Sequence, residues 1–563
     1  MMALGEALRG LARRIARPSL TSRLLPFPVP SRLIISPKDL RIADAGLAQD
    51  IYSGRFFLAG KMIETGGGDP FTLAHAPIGW QRELHGFGWL RHLEADGGEL
   101  ARKNATALLN DWLSHRFSRR SSPAWQIDVA ARRLITWLCH SVPIVETMTP
   151  RQYQNWLKSI GFHIRFLKLS GRQAPEGLPS LTLRIALAYA VLCADGMKRY
   201  QPRAMRLLDE ELAGQIADDG MHRSRNPAVL AELLALLLPL RQAHARLGIQ
   251  PSQRLVSSID RMMLALKFFR LGDGNLARFN GVSANRSDLV ATLMHYDDAI
   301  AASSEPQALG GYQRLTAGTT VLIADTGRPP QGAASAEAHA GTLSFEVSSE
   351  NTLLLVNCGA PPFDMTGRRP DAVRATAAHN TLTIRDTSSS RIYAGRLFAS
   401  LLGGWFVSGP SKVTCERRTG SGSTGFVATH DGYRKTFDAI HERSLFLSFD
   451  GNRIVARDRL KSPSGGAVRS ARDAAFQIRF HLPPSVSAGT MEDGSVVLMC
   501  GRGLTWRFAC KEIRPVIEES AFFASISGTK RTMQIVLNGN AGDTPEVSWQ
   551  LVRETLASHG DAG

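Results

Sequence analysis

The sequence predicts two unlike halves, a stack of antiparallel helix pairs followed by a large antiparallel β structure. Three observations carry that prediction. Apolar residues recur at helical spacing from about residue 85 to 300, and short β-branched runs bounded by turn residues follow from about residue 315. In addition, 563 residues exceed what one compact core accommodates.

In the first half, Leu108, Leu109, Trp112, Leu113 and Phe117 form one apolar stripe, Ile135 and Leu138 a second, and Leu183, Leu187 and Val191 a third. Val229 to Leu240 is so rich in leucine that it should be buried on most sides. Breaks at Pro175–Gly177 and Asn226–Pro227 separate the helices. In the second half, Thr319–Ala324, Leu353–Asn357, Thr381–Ile384 and Val496–Met499 read as strands. Ser444–Phe449 and Arg453–Arg457 flank Asp450-Gly451-Asn452 as a hairpin, and Gly501-Arg502-Gly503 turns between Val496–Cys500 and Thr505–Phe508. Many short strands at this spacing predict a β-sandwich or barrel. The expected boundaries are a basic segment over 1–40, a helical domain over 41–300 and a β domain over 312–556, joined by the Ser-, Pro- and Gly-bearing stretch Ala301–Gly311.

The formal charge of +17 attracts polyanions, whether acidic polysaccharide, nucleic acid or an anionic membrane surface. No recognition-helix module, RNA-binding sheet signature or zinc finger accompanies the charge, so nucleic acid is not expected. The six cysteines form no CxxC pair and should be free and largely buried. Residues 1–17 place Arg9, Arg13, Arg14 and Arg17 beside Leu4, Leu8, Leu11 and Ile15, a basic amphipathic helix without the apolar run of a signal peptide. A cytoplasmic protein is the expectation, with the periplasm or cell envelope the alternative for a polysaccharide substrate. No stretch reads as apolar enough to span a membrane, and nothing in the sequence bears on oligomeric state.

Several segments resemble the heparinase II/III superfamily. In the helical half these are Trp125, Arg133 and Trp137 in a W…R…W pattern, and the loop from Asp219-Gly220 to Asn226-Pro227. In the β half they are His339 to Phe345, Leu354-Leu355-Val356-Asn357-Cys358-Gly359, Ala378-His379-Asn380-Thr381-Leu382, His430-Asp431-Gly432-Tyr433 and His441 with Arg443. The resemblance implies an (α/α) toroid followed by a C-terminal antiparallel β-sandwich, with a cleft for an acidic, uronate-containing glycan cleaved by β-elimination. That reaction needs a group that neutralises the carboxylate, a base for the adjacent proton and an acid for the leaving oxygen.

The chain departs from the family pattern at the residues that do this. The Asn-His pair falls near Gly177 to Ser180, the tyrosine near Ala228-Val229, and the first histidine of an H-x-H motif at Glu337. Two functional readings therefore stand: a lyase-like enzyme with a rearranged site, and a glycan-binding protein that kept the fold and lost the chemistry. For the enzyme, His222, Arg225 and His379 are the catalytic candidates, with His222 on a polar loop facing the cleft and an arginine clamping the carboxylate. Trp125, Arg133, Asn280 and Tyr296 are the substrate-binding candidates; Arg133 with Arg132 adds cleft charge, while Trp125 and Tyr296 also read as core residues and Asn280 as a turn residue. No cofactor is required. The resemblance further implies a structural zinc held by His339, Asn357 and His379, against which stands the reading of two histidines hydrogen-bonded between strands.

Overall fold

The computed structural model describes residues 29–73, 75–115, 122–284, 287–296, 305–361, 371–393, 404–466, 468, 474–501 and 503–554. The amphipathic segment expected over residues 1–17, and Phe117 of the first apolar stripe, lie outside them.

The helical half contains α1 (Ala45–Tyr52), a hairpin of β1 (Arg55–Leu58) and β2 (Lys61–Glu64), α2 (Ile78–Gly86), α3 (Leu90–Asp96), α4 (Glu99–Ser114), α5 (Ile127–Cys139), α6 (Ser141–Val145), α7 (Pro150–Ser170), α8 (Leu178–Cys193), α9 (Gln201–Gln215), α10 (Pro227–Arg246), α11 (Gln253–Phe268) and α12 (Ser287–His295). Local chemistry sets the ends. Thr149 and Gln152 form a reciprocal capping box on α7, and Asn226 caps α10 through the Ala228 N–H. Helix α5 packs on α8, α8 on α9 and α10, and α10 on α11, in the pairwise arrangement of a toroid. The leucine-rich α10 is long and apolar enough to cross a membrane by length and composition, which corrects the expectation that no stretch is. Most of it is buried in the toroid, where a helix apolar on all sides belongs.

Among the described residues, the β half forms three larger sheets and one two-stranded sheet. Strands β3 (Ala308–Leu309), β4 (Tyr312–Ala317), β5 (Thr320–Asp325), β6 (Phe345–Ser349) and β7 (Thr352–Leu355) make a five-stranded meander. Strand β8 (Leu382–Ile384) joins a four-stranded sheet further on, and β9 (Arg391–Ile392) pairs with β10 (Phe406–Ser408). Strands β11 (Val413–Thr419), β12 (Ser423–His430), β13 (Ile440–Ser448) and β14 (Arg453–Lys461) run as consecutive antiparallel neighbours. Then come β15 (Ala475–His481), β16 (Ser487–Thr490), β17 (Val496–Met499), β18 (Thr505–Cys510), β19 (Val516–Phe522), β20 (Lys530–Asn540) and β21 (Glu546–Glu554). An eight-stranded sheet has the order β11-β12-β13-β14-β21-β18-β17-β16, and the four-stranded sheet β19-β20-β15-β8. The expected hairpin is β13–β14, turning where Gly451 adopts φ +76°.

The five-stranded sheet is a middle layer. Val321 and Ile323 pack into the helical core, while Leu322 and Ala324 pack into the sandwich core. That is why every residue of β5 is buried, whereas β14 alternates strictly between exposed and buried. The close contact between the halves also sets a glycine: a Cβ on Gly272 would lie 1.9 Å from the Glu350 carbonyl oxygen. All six cysteines are free, four of them buried.

Candidate functional site

The loop between α9 and α10, the loop after α11, and the ends of β3 to β5 meet at the junction of the two halves. Four of the sequence-predicted residues, Arg225, Asn280, His339 and His379, come together there in one hydrogen-bonded chain.

Arg225, in a left-handed conformation at φ +54°, reaches across the junction. Its Nη2 lies 2.7 Å and its Nη1 3.3 Å from the two oxygens of Asp325, a bidentate pair. Its Nε donates to Gly310 O at 2.8 Å, its Nη1 to Arg328 O at 3.0 Å, and its guanidinium carbon sits 4.3 Å from the Tyr312 ring centroid. Burial pushes the Asp325 carboxyl upward, and the Arg225 charge opposes it. The expected carboxylate clamp is thus closed on the protein's own aspartate.

From Arg225 the chain runs inward. The Tyr312 hydroxyl donates to Arg225 O at 2.7 Å and accepts from Asn280 Nδ2 at 2.6 Å. Asn280, itself at φ +49°, accepts from the His339 N–H at 3.2 Å through Oδ1. His339 Nδ1 and His379 Nε2 are 3.0 Å apart, with the rings nearly perpendicular. His379 Nδ1 donates to Ala375 O at 2.8 Å, which fixes its tautomer and makes its Nε2 the acceptor from His339. Burial lowers the His379 pKa to about 4. His379 is 1 % exposed, so a neutral ring with both nitrogens engaged sits in the interior.

His222 departs from the expectation of a cleft-facing base. It is 2 % exposed, behind the end of α9. Its Nδ1 accepts from the Ser224 N–H at 3.1 Å and lies 2.8 Å from Ser224 Oγ, so the ring proton is on Nε2, 2.9 Å from Gln215 Oε1. Gln215 Nε2 donates to Gly177 O at 2.9 Å, at the very segment where the family's Asn-His pair would fall. Burial, with Arg223 adding, lowers the His222 pKa to about 3. Asp218, Asp219 and Arg223 of this loop face solvent, whereas His222 is turned inward by its bonds to Ser224 and Gln215.

The remaining candidates are dispersed. Arg133 is fully buried: its Nε donates to His163 Nε2, and its two Nη atoms to His85 O and Ala124 O. Its guanidinium lies 4.3 Å from the Trp112 ring centroid, and Trp125 packs against Phe162, His163 and Phe166. The W…R…W pattern thus builds an aromatic cage around a structural arginine. Tyr296 follows α12, near enough to Arg241 and Arg246 to feel their charge. Arg241 lies fourteen residues into α10, roughly 21 Å along it from the Asn226 end.

The zinc set does not fit. Asn357 accepts from the Asn380 N–H through Oδ1 and donates to Arg278 O through Nδ2, so its amide is spent between strand and loop. Two imidazoles bonded to each other remain, and among the described residues no group of three or more His, Cys, Asp or Glu side chains is placed to hold a metal ion.

Sequence reasoning missed the partners that organise the junction. Glu346 is fully buried in β6, accepting from the Asn357 N–H at 2.8 Å and lying 3.5 Å from Arg278 Nη1; burial raises its pKa to about 7. The available signal was a lone acid inside the apolar run of Phe345 to Val347, and likewise Asp325 closing the run of β5. A second buried network, Asp458 with His441, Arg443 and the Trp549 indole, lies within the sandwich and accounts for the His441/Arg443 signature as packing.

Comparison with known proteins agrees with this architecture. Residues 302–550 match the family model of the heparinase II/III-like C-terminal domain. Over 537 residues the chain is 30% identical to FtsZ-localized protein C of Caulobacter vibrioides (strain NA1000 / CB15N), covering 94% of this chain and 91% of that protein. Among solved structures it is similar to heparinase III, with a TM-score of 0.70 and 15% identity over 94% of this chain and 88% of that one. It is also similar to a heparan sulfate lyase mutant from Pedobacter heparinus, with a TM-score of 0.60 and 14% identity over 97% and 87% of the two chains. Helical toroid, antiparallel sandwich and sequence relationship together place the chain in the heparinase II/III superfamily.

Proposed function

We propose that the protein binds an acidic, uronate-containing polysaccharide on a lyase fold from which the elimination chemistry has been withdrawn. The observation that carries this reading is the state of its two best-placed imidazoles. His222 and His379 are buried neutral rings with both nitrogens engaged inside the protein. In that state neither offers a lone pair to a substrate proton. With pKa values of about 3 and about 4, neither is an imidazolium near neutrality, and the one N–H each ring keeps is bonded inside the protein. Arg225, which would neutralise the substrate carboxylate, is paired with Asp325. The likeness to polysaccharide lyases supports a glycan as ligand, and the charge of +17 supports an anionic one.

The test is to incubate the protein with heparin, alginate and polygalacturonate while following the ultraviolet absorbance of the unsaturated uronate product, with binding measured in parallel by calorimetry. Saturable binding without an absorbance rise is expected. A rise that disappears in His379→Ala or His222→Ala would restore the lyase reading, and absence of both binding and turnover would refute the proposal.

The relationship to FtsZ-localized protein C favours a second reading, in which the protein is a component that assembles where FtsZ does. Imaging a fluorescent fusion beside FtsZ in dividing cells tests it, and a uniform distribution would discard it.

A further inference from the structure

Helix α8 begins at the junction side, where Gly177 O meets Gln215, and its 16 residues carry the chain about 24 Å away before Cys193. Beyond that far end, the 3-10 turn Lys198–Tyr200 leads into α9. Lys168 Nζ, from the last turn of α7, and Arg199 Cζ each lie 4.8 Å from the Tyr200 ring centroid. Lys198 precedes Arg199, Arg203 stands in the first turn of α9, and Arg172 lies just past the end of α7. All five cations are exposed, and none of them forms an ion pair with a described residue.

Several cations elsewhere on the surface do have acidic partners: Arg206 pairs with Glu210, Arg457 with Glu546 and Lys461 with Glu442. Asp195, the acid nearest in sequence before Lys198, is already held by Ser31, Arg32 and the Gly196 N–H. The first turn of α9 contains no acid, and its macrodipole presents positive charge to the same cations. Like charges gathered without counter-charge repel one another, an electrostatic cost that an anionic partner removes. The Tyr200 ring meanwhile pre-orders two of the cations, which lowers the entropy lost when they are bound.

We infer that the Tyr200 patch is the docking surface for an anionic polysaccharide chain, whose carboxylates or sulfates pair with Lys168, Arg199 and the flanking cations. This inference rests on the glycan-binding reading above and adds where the chain docks: on the far end of the toroid, not on the locked junction. A polysaccharide fits better than a lipid surface because the patch lacks an apolar wedge. The Tyr200 ring is engaged by its two cations, Ala204 and Met205 are half-buried against the helical core, and Leu169 at 41% is the large apolar side chain exposed beside Lys168.

The experiment titrates the full chain with heparin and with alginate at two salt concentrations, and with vesicles of phosphatidylcholine and phosphatidylglycerol. Wild type is compared with Lys168→Gln/Arg199→Gln and with the control Arg457→Gln/Arg459→Gln. Losing two charge-assisted contacts should weaken polysaccharide binding about 30-fold and flatten its salt dependence, whereas the control should change it less than about twofold. Wild-type binding that survives Lys168→Gln/Arg199→Gln would overturn the location and leave glycan binding standing. No wild-type binding to either polysaccharide would remove both ideas, and vesicle binding lost in the same variant, without polysaccharide binding, would reassign the patch to a membrane.

Discussion

Replacing Arg225 by methionine tests whether the two halves are fastened by a buried ion pair. Methionine keeps an unbranched side chain of similar reach and deletes the guanidinium, which lies over the Tyr312 ring, makes a bidentate pair with Asp325 and donates to Gly310 O, Gly311 O and Arg328 O. The carbonyls near the surface can exchange the lost donor for water. Asp325, 3 % exposed, cannot. Breaking a buried pair from one side costs about 3–5 kcal/mol, chiefly because the partner charge is stranded. Since burial already pushes the Asp325 carboxyl upward, the stranded group takes up a proton as pH falls, and the penalty should shrink on acidification. Asp325→Asn added to Arg225→Met should recover part of the loss by removing the charge altogether. Urea unfolding followed by tryptophan fluorescence, with hydrogen exchange at residues 308–312 and 325–328, measures both effects. A loss below about 1 kcal/mol, or no recovery in the double variant, would refute the idea that this pair fastens the halves.

Two further perturbations read other buried charges. Glu346 has its pKa raised by burial to about 7, against 4.5 for the free side chain, so its ionisation weakens the fold progressively as pH rises across that window. Glu346→Gln should therefore gain up to about 3 kcal/mol at alkaline pH and nothing below about pH 4.5; a gain independent of pH would show that ionisation is not the cause. Burial alone would lower the pKa of His140, but its hydrogen bonds to Asp39 and Glu94 outweigh that and raise it. This stabilisation is complete below about pH 6.5 and is lost as pH rises through the raised folded value. His140→Ala should accordingly cost about 3 kcal/mol in mildly acidic solution and less in alkaline solution, and urea midpoints showing the reverse order would sink that assignment.

Much of the fold was legible because secondary structure writes itself into local spacing. Leu183, Leu187 and Val191 lie on α8, and the Asp450-Gly451-Asn452 turn joins β13 to β14, where the sequence predicts them. The burial of β5 was also legible, as a continuous apolar run. The junction was not legible in that way. Arg225 meets Asp325 across 100 residues and Arg278 meets Glu346 across 68, and no periodicity connects such pairs. His222 illustrates the difficulty: a polar loop beside two arginines suggests a solvent-facing base, yet Gln215 and Ser224 satisfy its ring and allow it to be buried.

The sequence by itself determined which segments become helices and strands, the order of the two halves, and the family to which the chain belongs. These follow from side-chain periodicity, turn chemistry and short motifs, all of which act within a few residues. Only the tertiary structure decided the state of the chemistry-bearing groups. Whether an imidazole or guanidinium faces a substrate or closes on an internal partner depends on which donors and acceptors arrive from distant strands. A buried polar group is retained where such partners satisfy it. Arg225, His222 and His379 are satisfied in that way, and of the three it is Arg225 that ties one half to the other.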